Sequence, residues 1–135
     1  MTEWMMSANG KIYDHQKAFS EQGFIYWRKV RNFSKGDVIY IYCTKPIGKI
    51  MYVTEVEDSD ISYAEVLDST NYYFGSCKPI EGCYIKLALR RKYDGDKMDL
   101  SDLNRFDFHP PQGPCIIRNP ELLKYIKGIF AESAQ

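Results

Sequence analysis

The chain has 135 residues and a formal net charge of zero, with 18 Lys and Arg against 18 Asp and Glu. This length is typical of one domain and allows a hydrophobic core that needs no disulfide or metal to fold. The neutral total does not by itself indicate a polyanionic partner, and the N-terminus has neither a secretion signal nor a long apolar run. We therefore expect a single domain over residues 1–135 that is cytoplasmic and does not enter a membrane.

Cofactor and catalytic motifs are absent from the sequence. The four cysteines form no Cys-x-x-Cys pair and are interpreted as reduced thiols, so we expect no metal and no cofactor. No glycine-rich phosphate loop, Gly-x-Ser-x-Gly or His-Glu-x-x-His motif is present. Asp14 beside His15 is explained by helix capping, and His109 has no obvious partner. The sequence favours a binding domain over an enzyme.

The first half of the chain alternates short apolar runs with turn residues. Asp14 and Gly23 are typical of the N-cap and the left-handed C-terminal residue of a short helix over 15–22. Apolar and aromatic segments indicate strands between and around these signals. The strands are predicted at residues 4–6, 24–27, 37–43 and 49–56.

The second half adds two more alternating segments and a second long helix. Alternation predicts strands over 61–67 and 83–91, and 99–103 is compatible with a helical turn. Asn119 followed by Pro120 marks the start of a helix with an apolar face. The predicted class is α+β, with five or six mostly antiparallel strands and two or three helices. Closure of the sheet into a small barrel would remove its exposed edges.

Basic residues are concentrated in a first segment over 28–35 and a second over 86–92, while acidic residues cluster between 55 and 68. If the two basic segments meet in the fold, they form a surface that can contact phosphates. The alternative is an ordinary solvated surface. The candidate phosphate-binding residues are Arg28, Lys29, Arg31, Arg90 and Arg91.

The two tryptophans, Trp4 and Trp27, are candidates for stacking on a nucleic-acid base. Trp27 directly precedes Arg28, so an aromatic face is followed at once by positive charge. Stacking on a tryptophan contributes about 1–3 kcal/mol per base, and neighbouring cations hold the backbone. The alternative is that either indole belongs to the hydrophobic core.

The order of several segments resembles the EVE and YTH-related branch of the PUA-like superfamily. The resemblance covers most of the chain, and residues 1–56 carry most of it. The matching segments are a first strand with a Ser/Asn loop, a short helix leading to a tryptophan, a Gly-Asp strand, its return strand and a closing tail. In this chain they are Trp4–Asn9, Tyr13–Trp27, Lys35–Tyr42, Lys49–Val56 and Gln112–Ile126.

This resemblance implies a PUA-like pseudo-barrel that binds nucleic acid and holds a modified base in an aromatic cage. It identifies Trp27 as one wall of the cage, and Ser7 and Asn9 as the loop that contacts the base edge. Tyr72 and Tyr73 are candidates for the second wall. Members of this superfamily also occur in modification-dependent restriction systems, so a larger restriction or defence assembly is a further expected partner.

Modified DNA is the first expected ligand, and three alternatives stay open. Other PUA-like domains bind RNA, and the same cleft could instead serve a small molecule or a protein partner. A small hydrolase is the fourth reading. Phosphate contacts make affinity fall steeply with salt, which separates nucleic-acid binding from the small-molecule and protein readings.

Overall fold

The computed structural model describes residues 1–133 as an α+β fold built on one sheet, as predicted. The strands are β1 (Glu3–Ala8), β2 (Phe24–Arg28), β3 (Val38–Cys43), β4 (Lys49–Ile61), β5 (Tyr84–Lys92) and β6 (Cys115–Ile116). The helices are α1 (His15–Gln22), α2 (Tyr63–Leu67), α3 (Leu100–Leu103) and α4 (Pro120–Ser133), with a 3-10 turn at Asn104–Phe106. The described region thus has four helices rather than two or three, since two are very short. None of them combines the length and apolarity needed to cross a membrane.

The sheet has the strand order β2-β5-β4-β3-β1-β6. All neighbouring strands are antiparallel except β1 and β3, which are parallel and end side by side at Ala8 and Cys43. Parallel neighbours need a crossover connection, which α1 and β2 provide. The expectation of a mostly antiparallel sheet is confirmed, but the sheet is not closed, and β2 and β6 form its edges.

The sheet is covered by apolar side chains on both faces. Met6 and Ile41 belong to the cluster that includes Phe19 of α1, whereas Met5 and Tyr40 belong to the cluster that includes residues of α4. Successive residues of a strand point to opposite faces, so a central strand between two packed layers must be apolar throughout. This explains the continuous apolar runs of β1 and β3.

The capping signals in the sequence act as predicted. The Asp14 carboxylate accepts a hydrogen bond from the Lys17 N–H at 3.1 Å, and Gly23 ends α1 in the left-handed conformation with φ of 80°. Asn119 accepts hydrogen bonds from the first N–H groups of α4. The two caps of α1 fix where this helix ends and β2 begins.

The strand predicted at 61–67 is wrong. β4 continues to Ile61, and the Ser62 hydroxyl then accepts a hydrogen bond from the Glu65 N–H at 3.2 Å to start α2. Ser-x-x-Glu is the pattern of a capping box, and this local interaction overrides the alternation of apolar residues. The error matters for the site, because α2 and the following loop lie between β4 and β5.

Candidate functional site

A cavity of about 340 Å³ opens beside the carboxyl end of β2. Its volume falls within the range typical of small-ligand pockets, and aromatic rings make up much of its wall. We refer to it as the Trp27 cavity. Its aromatic lining residues are Tyr13, His15, Tyr26, Trp27, Tyr73 and Tyr84.

Four of these rings form a continuous row along the wall. The His15 ring lies 5.9 Å from Trp27, centroid to centroid, and 4.9 Å from Tyr13. Tyr13 in turn contacts Tyr73 edge-on at 4.8 Å. Rings held at these separations support one another, so the wall is preorganised for a flat aromatic ligand.

Trp27 reaches the cavity because of its position in β2. Ile25, on the same face of the strand, is fully buried, whereas Trp27 is only half-buried near the end of the strand. One part of the indole packs against the core cluster that includes Phe19 of α1, and another part borders the cavity. The structure therefore places Trp27 between the core and an open site.

The second side of the cavity comes from the loop that precedes β5. This loop is fixed to the segment before α1 by two backbone hydrogen bonds, from the Asp14 N–H to the Tyr72 carbonyl at 2.7 Å and from the Phe74 N–H to the Ile12 carbonyl at 2.9 Å. Between them, Tyr13 and Tyr73 form an antiparallel bridge. Tyr73, proposed from the sequence as a second wall, thus lines the same cavity as Trp27.

Several polar groups of the cavity are already engaged, and this limits its chemistry. The Tyr26 hydroxyl donates to Glu65 at 3.0 Å, and the Tyr84 hydroxyl donates to the Ile80 carbonyl at 2.6 Å. Asn9 accepts from the Lys11 N–H at 2.9 Å through its side-chain oxygen, which leaves its NH₂ group as a donor. Burial raises the pKa of Tyr73 to about 12, so its hydroxyl stays protonated.

His15 is another titratable group in the wall whose pKa is strongly shifted. Burial lowers the pKa of its imidazole to about 4, against the weaker opposing effect of the Asp14 carboxylate. At neutral pH the ring is therefore uncharged, with one nitrogen as donor and the other as acceptor. The cavity can stack on a flat ring and offer a few hydrogen bonds at its edge. Within residues 1–133, no three His, Cys, Asp or Glu side chains are grouped to hold a metal ion.

The mouth of the cavity combines exposed apolar groups with cations. Ile12, Val30 and Ile80 line it while remaining 46%, 39% and 65% exposed, so three exposed apolar side chains are grouped at one opening, as they often are at binding surfaces. Arg28 and Lys78 line it as well. Within residues 1–133 neither cation forms an ion pair, so both are free to meet a phosphate.

Gly82 allows Arg28 to lie close to the loop that precedes β5. Its φ of 150° suits glycine, and a Cβ at this position would come within 3.2 Å of the Arg28 Nε atom. The next cation, Lys29, is held by a backbone hydrogen bond from its N–H to the Cys83 carbonyl at 2.9 Å. The first basic segment is therefore fixed against the rim of the cavity.

The second basic segment does not join the first. In the register of β2 and β5, Arg28 pairs with Tyr84, so Arg90 lies six residues further along β5, about 20 Å away. Arg90 forms an ion pair with Glu55 of β4 at 3.0 Å, and Arg91 pairs in the sheet with Val53 at the same far end. Arg90 and Arg91 thus lie far from Arg28, and the two basic segments do not meet at these residues.

Arg31, the remaining predicted cation, lies near Gly113 in the loop before β6. A Cβ on Gly113 would stand 3.1 Å from the Arg31 Nη2 atom. Its Nη1 donates to the Val30 carbonyl at 2.9 Å. Arg31 thus flanks the site but does not line the Trp27 cavity.

Three predicted pocket residues lie outside the Trp27 cavity. Trp4 is 8% exposed, and its indole N–H donates to the Asp37 carboxylate at 3.0 Å, so it belongs to the core. The Ser7 hydroxyl donates to the Pro111 carbonyl at 2.7 Å. The Tyr72 side chain is buried, and its hydroxyl donates to Glu21 at 3.1 Å. Each of these polar groups thus donates a hydrogen bond to another part of the protein.

The sequence interpretation did not include Tyr13 and His15 in the pocket. One signal for His15 was available, because His15, Ala18 and Phe19 are spaced three and four residues apart and form the buried face of α1. A histidine on such a face reaches the interior. For Tyr13 no local signal exists, since its place depends on pairing with Tyr73, 60 residues away in the chain.

Comparisons with solved structures identify the fold. A variant of the ASCH protein from Zymomonas mobilis has a TM-score of 0.62 at 16% identity, over 94% of this chain and 98% of that one. A hypothetical protein from Leishmania major has a TM-score of 0.64 at 14% identity, over 100% and 98%. Human THYN1, solved in complex with DNA containing 5-methylcytosine, has a TM-score of 0.58 at 11% identity, over 94% and 97%. No family model matches the sequence, and no curated protein is significantly similar to it.

Proposed function

We propose that this chain, whose fold is that of the EVE and PUA-like domains, binds nucleic acid and holds one modified base in the Trp27 cavity. The observation that carries the proposal is the row of rings from Trp27 to Tyr73 beside unpaired cations at the cavity mouth. Human THYN1, which shares the fold, was solved with methylated DNA, and this supports DNA as the first ligand to test. A role as the specificity module of a restriction system is part of the same proposal.

In this proposal the base leaves its stack and enters the cavity. Trp27 and Tyr73 contact its faces, and the Asn9 NH₂ group and the neutral His15 ring are available to its edge. Extrusion costs a few kcal/mol, and least for a base that is already unpaired. A methyl group on the base adds about 0.8 kcal/mol when buried against apolar wall atoms, about a fourfold gain in affinity.

We also propose that the cavity binds its ligand without transforming it. The hydroxyls of Tyr26 and Tyr84 are engaged in hydrogen bonds, and the pKa of Tyr73 lies well above neutrality. An activated nucleophile requires a neighbouring base or a lowered pKa. Glu65 stands beside the Tyr26 hydroxyl, but burial raises the pKa of Tyr26, Tyr73 and Tyr84 above the ordinary value, so these hydroxyls stay protonated and binding is favoured over hydrolysis.

The proposal is tested by measuring the affinity of the full chain for matched oligonucleotides. Fluorescence anisotropy compares duplex and single-stranded DNA with one 5-methylcytosine, the same DNA without the methyl group, and RNA of the same sequence. We expect a preference of at least about fourfold for one modified ligand, and a loss of affinity with increasing salt. Absence of binding to every one of these oligonucleotides at low salt would refute nucleic-acid recognition by this domain.

A further inference from the structure

A second cavity, of about 240 Å³, lies next to the first and shares Tyr13 and His15 with it. It is found where the parallel strands β1 and β3 end, and Ala8 and Cys43 contribute to its wall. Tyr52 of β4 lines this cavity and does not line the Trp27 cavity. We refer to it as the Tyr52 cavity.

Three buried side chains of this wall carry polar atoms without a protein partner. Tyr52, His15 and Tyr13 are 2%, 6% and 9% exposed, and within residues 1–133 their side chains form no hydrogen bond. Buried polar groups are almost always hydrogen-bonded. No fully enclosed side-chain N or O atom among the described residues lacks a partner, so these polar atoms reach open space. For Tyr52 that space is the second cavity.

The protonation states make this wall a set of hydrogen-bond donors. Burial raises the pKa of the Tyr52 and Tyr13 hydroxyls well above their ordinary value, so both keep their protons. The His15 ring is neutral and offers one N–H. Burial raises the pKa of the Cys43 thiol to about 12, so it is not a thiolate nucleophile. The wall is suited to bind an acceptor-rich group, not to attack one.

The rim adds positive charge. Lys11 and Lys45 line the Tyr52 cavity, and within residues 1–133 neither forms an ion pair. Asp14, the one acid that the described part of the chain contributes to the lining, is engaged as the N-cap of α1 through its hydrogen bond from the Lys17 N–H at 3.1 Å. Neutral donors on the floor and two ammonium groups at the rim are complementary to a small oxyanion.

We propose that the Tyr52 cavity binds a phosphate group, with the Tyr52 hydroxyl and Lys45 as contacts. A volume of 240 Å³ is smaller than most pockets for whole cofactors, which favours a compact group such as a phosphate. The phosphate belongs either to a free nucleotide or to the backbone of a nucleic acid. Because Tyr13 and His15 border both cavities, a nucleotide with its base in the Trp27 cavity would carry a phosphate to this site; that extension rests on the proposed function, whereas phosphate binding does not.

The test follows backbone amide signals of the ¹⁵N-labelled chain during titration. The probes are inorganic phosphate, cytidine 5′-monophosphate, cytidine without phosphate and a short single-stranded oligonucleotide. We expect inorganic phosphate and cytidine 5′-monophosphate to shift the amide signals of Ala8 and Thr44, and cytidine to leave these signals unchanged. Competition by the oligonucleotide identifies the backbone as the source of the phosphate, and its absence identifies a free nucleotide.

Matched variants separate the site from the fold. Tyr52→Phe should weaken phosphate binding about tenfold or more, since a hydrogen bond to a charged group is lost, and Lys45→Gln about two- to fivefold. Tyr40→Phe removes a hydroxyl bonded to Glu3 on the other face of the sheet and should leave binding unchanged. Trp27→Ala should retain phosphate binding even where oligonucleotide binding is lost, so the two proposals fail independently. Absent shifts with phosphate, or equal affinity in wild type and Tyr52→Phe, would overturn the inference.

Discussion

Replacement of Trp27 by Ala removes the indole that begins the aromatic row of the Trp27 cavity. If the indole stacks on a base, its loss costs about 1–3 kcal/mol of binding, which is about a 5- to 150-fold decrease in affinity. The loss should be similar for methylated and unmethylated DNA where stacking alone is affected. It should be larger for methylated DNA where the indole also contacts the methyl group.

The same change should weaken the fold only moderately, because Trp27 is half-buried. Truncation of a fully buried tryptophan costs about 3–5 kcal/mol, so we expect about 2 kcal/mol here. The unfolding entropy is about 2.1 cal/mol/K per residue, so for 135 residues the melting temperature should fall by about 7 °C. The variant remains folded at room temperature, and its affinity can be measured.

Fluorescence anisotropy with labelled oligonucleotides, at one fixed salt concentration, measures the change in binding, and circular dichroism measures the melting temperature. Trp27→Phe is the control, since it keeps a ring at the wall and should recover most of the affinity. Wild-type affinity in the Ala variant would show that no base stacks on Trp27. Complete unfolding of the variant would show that the indole is a core residue.

Substitution of Arg28 and Lys29 by Gln should weaken binding to all DNA sequences alike and lower the slope of log affinity against log salt by about 1.4–1.8, because two phosphate contacts are lost. Trp4→Phe should lower the free energy of unfolding by about 1–3 kcal/mol without changing DNA affinity, because it removes a buried indole hydrogen bond. For His15, burial lowers the pKa in the folded state to about 4 from its ordinary value of 6.5, so the unfolded chain binds more protons between these values. The free energy of unfolding should therefore fall by about 3 kcal/mol between pH 6.5 and 4 in urea denaturation, and His15→Gln should lose this dependence.

Each of these outcomes has a matched control. Arg90→Gln, at the far end of β5, should leave affinity and salt slope unchanged. If it weakens binding as much as the Arg28 and Lys29 substitutions do, the DNA also contacts the far end of β5. If the Trp4→Phe variant is folded but binds DNA more weakly than wild type, Trp4 is part of the binding site. His109→Gln alters an exposed histidine and should keep the wild-type pH dependence. A pH-independent wild type would mean that His15 is not buried as a neutral ring.

Local interactions explain which parts of the fold could be predicted from the sequence. The cap at Asp14, the left-handed Gly23 and the Asn119 cap involve groups within four residues, and the structure confirms all three. The central strands are recognisable because two packed layers demand apolar residues on both faces. The strand predicted over 61–67 is wrong because this segment carries both an alternating pattern and a capping pattern, and the structure forms the cap at Ser62.

Long-range pairing explains what could not be predicted. The parallel pairing of β1 with β3 and the bridge between Tyr13 and Tyr73 join residues that are far apart in the chain. Trp27, Asn9 and Tyr73, which the resemblance assigned to a base pocket, all line the Trp27 cavity. Trp4 does not line the cavity, because its indole N–H donates a hydrogen bond to the buried Asp37 carboxylate of the Gly-Asp segment. A motif fixes the order of elements, but partners elsewhere in the fold decide which side chains remain free.

The neutral net charge hides an uneven distribution that affects how this domain would discriminate ligands. Lys86 and Arg90 of β5 are paired with acids of β4. By contrast, Arg28, Lys29 and Lys78 near the Trp27 cavity form no ion pair within residues 1–133. Three phosphate contacts give a salt slope of about 2–3, so affinity falls only about 20- to 40-fold between 50 and 200 mM salt. This decrease in affinity is similar in size to the 5- to 150-fold increase in affinity that one stacked base contributes. If the domain binds nucleic acid as proposed, so few phosphate contacts should make binding to unmodified DNA weak, and the cavity would have to supply the discrimination between modified and unmodified bases.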